Sequence, residues 1–359
     1  MVQSLATKFL TGTRGAQGSA PLPTIDVHAL RVFYLDLLGR PPFTPEREAW
    51  LGRSPAELVD SLLGSLEFWT NWLEEQLYYF LLVDNFRPAT EGIQTIPAEL
   101  AGGELGVREA LHRICLSSSF DRRNPGPDTF VTVVMEQLLG LAIQKTQREL
   151  EIGKRLYDGG KGIFLGRSGS SQADVVNIAI DDERAPRHLL RREYLRLLRQ
   201  EPAERELGVW AKTLEANDQA LVAIFREWIL SEAYAHRLES RASEPNRLFV
   251  RALFVDIVGR LPGEEEAQRL RSALDGLADA GPLRSIVARL LLDSGKAQVP
   301  ERDAIQDPSA WVRDLFGRLL GREPSPAELS AFLDVYREPA CRPATVVYAI
   351  VSHPEYQTW

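Results

Sequence analysis

The stretch Val312-Arg313-Asp314-Leu315-Phe316-Gly317-Arg318-Leu319-Leu320-Gly321-Arg322-Glu323-Pro324-Ser325-Pro326-Ala327-Glu328 decides the fold. Apolar side chains at 312, 315, 316, 319 and 320 recur every three and four residues, the period of a helix with one buried face. Gly321 stands where that helix must stop, because glycine takes a left-handed C-terminal cap without a Cβ clash, and Pro324 forbids continuation. Ser325-Pro326-Ala327-Glu328 then opens the next helix as a capping box, with serine at N-cap, proline at N1 and glutamate at N3.

Working outward, the same plan occurs at Val32-Phe33-Tyr34-Leu35-Asp36-Leu37-Leu38-Gly39-Arg40-Pro41 and at Leu253-Phe254-Val255-Asp256-Ile257-Val258-Gly259-Arg260-Leu261-Pro262. Glu193-Tyr194-Leu195-Arg196-Leu197-Leu198-Arg199-Gln200-Glu201-Pro202 follows it with arginine in place of the glycine. Ser54-Pro55-Ala56-Glu57 repeats the capping box, and Thr44-Pro45-Glu46 is a looser version. Downstream of each turn, stops such as Ser65-Leu66-Glu67-Phe68, Ser231-Glu232-Ala233-Tyr234, Asp293-Ser294 and Ser352-His353-Pro354-Glu355-Tyr356 close a further apolar helix. The sequence therefore predicts an all-α chain of tandem helical repeat units with Gly-Pro turns, arranged as two or three helical domains. Its expected parts are an extended arm (residues 1–24), a first unit (25–88), a helical insertion with a Gly-rich loop (89–185), in which Leu138-Leu139-Gly140 reads as the end of a degenerate copy, and three further units (186–242, 243–302 and 303–359). The arm is rich in Gly, Ser, Thr, Ala and Pro and lacks periodicity.

The chain has 359 residues, 44% hydrophobic and 26% charged, which is ordinary globular composition. Its net charge, 42 − 50 = −8, argues against a dedicated nucleic-acid binder, which carries a basic surplus to neutralise phosphates. Cys115 and Cys341 lie in no metal-ligand or haem-attachment spacing. Without a leader-like apolar core or a run of about 18 apolar residues, the expected address is cytoplasmic.

Chemistry-bearing patterns are sparse. Glu109-Ala110-Leu111-His112 is half of a di-iron helix motif, and the second half is missing. Gly159-Gly160-Lys161-Gly162 through Gly166-Arg167-Ser168-Gly169 reads as a flexible interhelical loop, with a short strand near Ile163–Leu165 as the open alternative, since hairpin signals are weak and G-x-x-x-x-G-K-[ST] is not matched. Such a loop is a candidate partner contact through Lys161 and Arg167. The basic cluster Arg184, Arg187, His188, Arg191 and Arg192 supplies three more candidates, Arg184, Arg187 and Arg191. Trp50 and Trp359 are candidate aromatic anchors, whereas Trp69, Trp72, Trp210, Trp228 and Trp311 lie on apolar stripes and read as core. No catalytic residue, metal ligand or cofactor is expected.

The pattern "Y/F-x-x-L-L-G-R-x-P … S-x-E-[Y/F]" resembles the helical repeats of phycobilisome linker domains and a related bacterial repeat of surface proteins. The first copy, through Phe68-Trp69 and Trp72, is also similar to an uncharacterised domain of planctomycete-type cytochromes, although their haem motif is absent here. The resemblance implies a non-catalytic linker or scaffold that joins subunits of a larger assembly, with phycobiliproteins as partners and peripheral membrane association only through that complex. The alternative is a helical accessory subunit or bundle enzyme with its site in residues 89–185.

Overall fold

A computed structural model describes residues 24–81 and 92–358. Twenty α-helices and one short two-stranded sheet make up the described residues, so the fold is all-α. None of these helices is long and apolar enough to cross a membrane. The chain divides into two compact units, residues 1–59 with 235–359, and residues 60–234.

In order, the helices are α1 (Val27–Leu38), α2 (Thr44–Trp50), α3 (Pro55–Leu63), α4 (Leu66–Leu81), α5 (Ile96–Gly102), α6 (Val107–Cys115), α7 (Ser118–Arg123) and α8 (Gly126–Val133). After α8 a π turn spans Val134–Leu138, and α9 (Gln147–Tyr157) leads into strands β1 (Gly162–Phe164) and β2 (Arg167–Gly169). Then come α10 (Gln172–Ile180), α11 (Arg184–Leu198), α12 (Glu204–Ala216), α13 (Leu221–Ile229) and α14 (Glu232–Glu239). The last six are α15 (Asn246–Val258), α16 (Glu264–Asp275), α17 (Gly281–Asp293), α18 (Pro308–Leu320), α19 (Pro326–Arg337) and α20 (Pro343–Val351).

One turn chemistry recurs. Helices α1, α15 and α18 end on Gly39, Gly259 and Gly321 at φ of 66°, 75° and 68°, and α11 ends on Arg199 at 56°. The arginine after each of those glycines has a role that sequence reading did not assign. Arg40, Arg260 and Arg322 each reach six residues forward to a glutamate, Glu46, Glu266 and Glu328, with both guanidinium nitrogens on both carboxylate oxygens. Each glutamate also accepts from the backbone N–H three residues before it, on Phe43, Gly263 and Ser325, at 2.7, 3.0 and 2.7 Å. Each guanidinium also lies over the aromatic ring six residues back, Tyr34, Phe254 and Phe316, at 5.3 to 5.4 Å. The arginine thus ties the end of one helix to the start of the next. Arg260, followed by Lys296 and the Gly263 N–H, pushes the Glu266 carboxyl down to about 2.

The turn after α11 keeps the aromatic, Tyr194, and the glutamate, Glu206, but reads Arg199-Gln200 where the others read Gly-Arg. A left-handed non-glycine residue costs roughly 1–2 kcal/mol. Exchanging Arg199-Gln200 for Gly-Arg is expected to remove that strain and install the arginine–glutamate clasp, a net gain of about 1 kcal/mol after the chain-entropy cost of glycine. A higher urea midpoint for the 60–234 unit checks this, and an unchanged midpoint contradicts it.

Serines lie just beyond the ends of α3, α6 and α17. The hydroxyls of Ser65, Ser117 and Ser294 donate to the carbonyls of Leu62, Ile114 and Leu291 at 2.7 Å. Ser65 and Ser117 also accept from the N–H of Phe68 and Phe120 at 3.1 Å, capping the next helix. Ser117 and the positive-φ Gly140 (65°) both lie inside the stretch read as an insertion.

The unit of residues 1–59 and 235–359 is built on Leu253, Ile257, Leu315, Phe316, Leu319 and Ile350. In the 60–234 unit, Phe68, Phe225, Trp228, Tyr194 and Trp210 form a chain of ring contacts at 5.1 to 5.9 Å. Trp69, Trp72, Trp210 and Trp228 are buried, as their stripe positions predict, and Trp311 packs half-buried against the core of the other unit.

Candidate partner-binding site

The Gly-rich segment is an ordered hairpin, which corrects the expectation of a flexible loop. Gly162 pairs with Gly169, Ile163 with Ser168 and Phe164 with Arg167 in antiparallel register. Leu165 and Gly166, at φ of 49° and 81°, make a two-residue turn whose twist matches the strands. A leucine in the first turn position hides the signal, because asparagine or aspartate is the usual mark there. Phe164 is fully buried and pins the inner face, while Ile163 on the outer face is 64% exposed. Lys161 is exposed at the base of β1.

Arg167 leaves the hairpin to bind Asp181 beyond the end of α10, at 3.0 Å to the carboxylate and 3.3 Å to the carbonyl. The next aspartate, Asp182, holds Arg184 at 2.6 Å. Burial opposes the charge on Asp182, but Arg184 outweighs it and holds the carboxyl below its usual range. Arg187 pairs with Glu204 at 2.8 Å, and Arg191 pairs with the same glutamate and with Glu201 at 3.6 Å. The structure therefore gathers Arg167, Arg184, Arg187 and Arg191 along one side of the 60–234 unit, each with an acidic partner. Trp50 belongs to the other unit, half-buried under the Arg53 guanidinium at 5.6 Å. Trp359 and the arm residues 1–23 lie outside the described residues.

Beside Asp181 an open cleft of about 370 Å³, solvent at its mouth included, runs between α6, α10 and α11. Its floor includes Val107, Leu111, Ile180, Leu189 and Leu214, with Arg108 and Asp218 at its edge. Asp218 caps α6 across 110 residues of sequence, accepting from the Arg108 N–H at 2.8 and 3.0 Å. Burial raises the Asp218 carboxyl above its ordinary value, against the pull of the Arg108 N–H and charge. Sequence reading missed this cleft because its walls come from separate helices, each with an ordinary apolar stripe. The one local signal is Asn217-Asp218, two helix-capping residues between α12 and α13.

A second polar cluster joins α4 and α11. The buried Glu193 carboxylate binds Arg196 at 2.8 Å and Gln76 at 3.0 Å. His188 sits 3.2 Å from the Tyr79 hydroxyl, against Gly140. Burial, followed by the nearby Arg192 and Arg191, lowers the His188 imidazole to about 4. The unfolded chain therefore takes up this proton at higher pH than the folded one, so the neutral ring stabilises the fold above its ordinary value of 6.5. That contribution fades as pH falls toward 4, by about 2 kcal/mol between pH 7.5 and 5. His188→Gln is expected to flatten the stability of this unit over that window in chemical melts, whereas an unchanged slope contradicts the assignment.

His112 bonds the Asn177 side-chain oxygen at 2.6 Å and lies 3.8 Å from Glu109, an exposed polar pair. Among the described residues no group of three or more His, Cys, Asp or Glu side chains is placed to hold a metal ion. Both cysteines are buried, and burial pushes their thiols up. Comparison with protein-family models, curated proteins and solved structures gives no match.

Proposed function

We propose that the chain is a non-catalytic linker built of tandem helical units, joining subunits of a larger assembly, most concretely as a phycobilisome-type linker that binds phycobiliproteins. The observation that carries this reading is the hairpin. The links between second and third helices are short at residues 51–54, 103–106, 217–220, 276–280 and 338–342, but the link between α9 and α10 runs over 158–171. An insertion in one unit of a helical array commonly lies on a binding face. This one is held rigidly by Phe164 and presents Ile163 and Lys161 to solvent. The ion-paired arginines behind it stiffen that face, and the turn arginines are spent on joining helices.

Purified phycobiliprotein mixed with the full chain should co-elute on size exclusion, tracked by its visible absorption. The variant Lys161→Glu/Ile163→Asp should keep its helical circular dichroism and lose co-elution. Absence of binding by the unmodified chain defeats the phycobilisome assignment, and equal binding by the variant removes the hairpin from the contact. An iron or haem band in the purified chain would favour the accessory or enzyme alternative instead.

A further inference from the structure

Helix α17 carries two apolar faces. Its inner face buries Val287, Ala288, Leu291 and Leu292 in the core. Its outer face presents Ile286 and Leu290, which are 53% and 65% exposed, and Leu283, half-buried against the core, lies at the edge of the same stripe. Single exposed leucines and valines elsewhere need no account, but two large apolar side chains one helical turn apart form a stripe. Residues at matching positions, eight and four before the closing serine, are Glu57 and Ser61 in α3 and Ala223 and Glu227 in α13. In those helices the same face is small or polar, so only α17 of the three has a reason to be covered.

The arm supplies a matching pattern. The expectation of an arm without periodicity passes over its first ten residues, which place Val2, Leu5 and Phe9 at intervals of three and four, with Ala6 and Leu10 beside them. Leu283, Ile286 and Leu290 follow the same intervals, so the two rows can interdigitate along one helical turn and the next. Residues 11–23, rich in Gly, Ser and Pro, join that segment to Thr24. Thirteen residues span up to about 45 Å when extended, against a radius of gyration of about 16 Å for a compact unit of this size. The tether therefore spans more than twice the outer radius of about 21 Å that such a unit has, enough to cross a large part of its surface.

We propose that residues 2–10 of the same polypeptide cover the Leu283–Ile286–Leu290 stripe. This goes beyond the linker reading and does not depend on it.

Trypsin tests this on the full chain, because Lys8 lies within the docking segment and Arg14 just beyond it. Cleavage after both residues is expected to be slow in the unmodified chain and at least tenfold faster in Ile286→Glu/Leu290→Glu. Both replaced side chains are more than half exposed, so the helix should form as before, verified by circular dichroism. A second variant, Leu5→Ser/Phe9→Ser, leaves residues 24–358 untouched and should release Arg14 by the same factor. Equal cleavage of the unmodified and variant chains overturns the proposal. Protection that grows with protein concentration also overturns it, because the arm would then sit on a second copy.

Discussion

Asp256→Ala is expected to destabilise the unit of residues 1–59 and 235–359 by about 3–5 kcal/mol, the cost of leaving a buried charge without its partner. Asp256 on α15 receives both terminal nitrogens of Arg31 on α1, at 3.0 and 2.7 Å, and the Tyr356 hydroxyl at 2.9 Å. The side chains of the ion pair are 3% and 2% exposed. Burial works against the Arg31 charge, but Asp256 outweighs it and holds the guanidinium above its ordinary value. Burial, with Asp256 second, also keeps the Tyr356 phenol protonated far above its usual range, so it donates at any working pH. Arg31 donates further to the Arg318 carbonyl at 3.0 Å, and Arg318 to the Asp256 carbonyl at 3.3 Å. Removing the carboxylate takes from Arg31 and Tyr356 the acceptor that they share. The discriminating control is Arg31→Met/Asp256→Leu/Tyr356→Phe, which removes together the three side chains that meet at the carboxylate and should recover most of the loss. If Asp256→Ala costs less than about 1 kcal/mol in urea melts, Arg31 reaches water or a new partner and the network is not holding the unit.

Much of the fold was legible because its punctuation is local. Gly321, Pro324 and Ser325-Pro326-Ala327-Glu328 fix a stop and a start within eight residues, and α18 and α19 end and begin there. The Ser325 hydroxyl and the Glu328 carboxylate form the reciprocal bonds of the capping box, at 3.2 and 2.7 Å. At Thr44-Pro45-Glu46 the helix starts one residue earlier than that reading places it, with Phe43 at N-cap, because Glu46 reaches back to the Phe43 N–H. What remained hidden involves partners distant in sequence. The arginine–glutamate clasp spans six residues, beyond the three- and four-residue periods that identify helices, although its recurrence in three turns was there to be counted. Asp218, Asp256 and Glu193 look like surface acids in sequence. Their roles come from partners 110, 225 and 117 residues away. The basic cluster of α11 was visible, but its neutralisation by Glu204 depends on how α12 folds back.

Gly106→Ala should cost the 60–234 unit about 2–3 kcal/mol, and the reason lies in a contact rather than in glycine's backbone freedom. Gly106 sits at φ −98° and ψ 164°, which any residue adopts. A Cβ there, however, would lie 2.0 Å from an Asp218 carboxylate oxygen and 2.4 Å from its carboxyl carbon. The carboxylate must leave, and with it go the bonds that cap α6, worth about 1–2 kcal/mol. The Asp218 carbonyl also accepts from the Val107 N–H at 3.2 Å, so the link between α12 and α13 is pushed away and the cleft edge shifts, at a further cost of about 1 kcal/mol. A double-mutant cycle separates this from a general intolerance of alanine. Asp218→Ala alone should cost about 1 kcal/mol, and adding Gly106→Ala to it should cost less than about 0.5 kcal/mol, because the colliding group is gone. Equal penalties for Gly106→Ala in both backgrounds would mean that Asp218 does not pack on the start of α6. The cleft edge would then lack the carboxylate that now holds it in place.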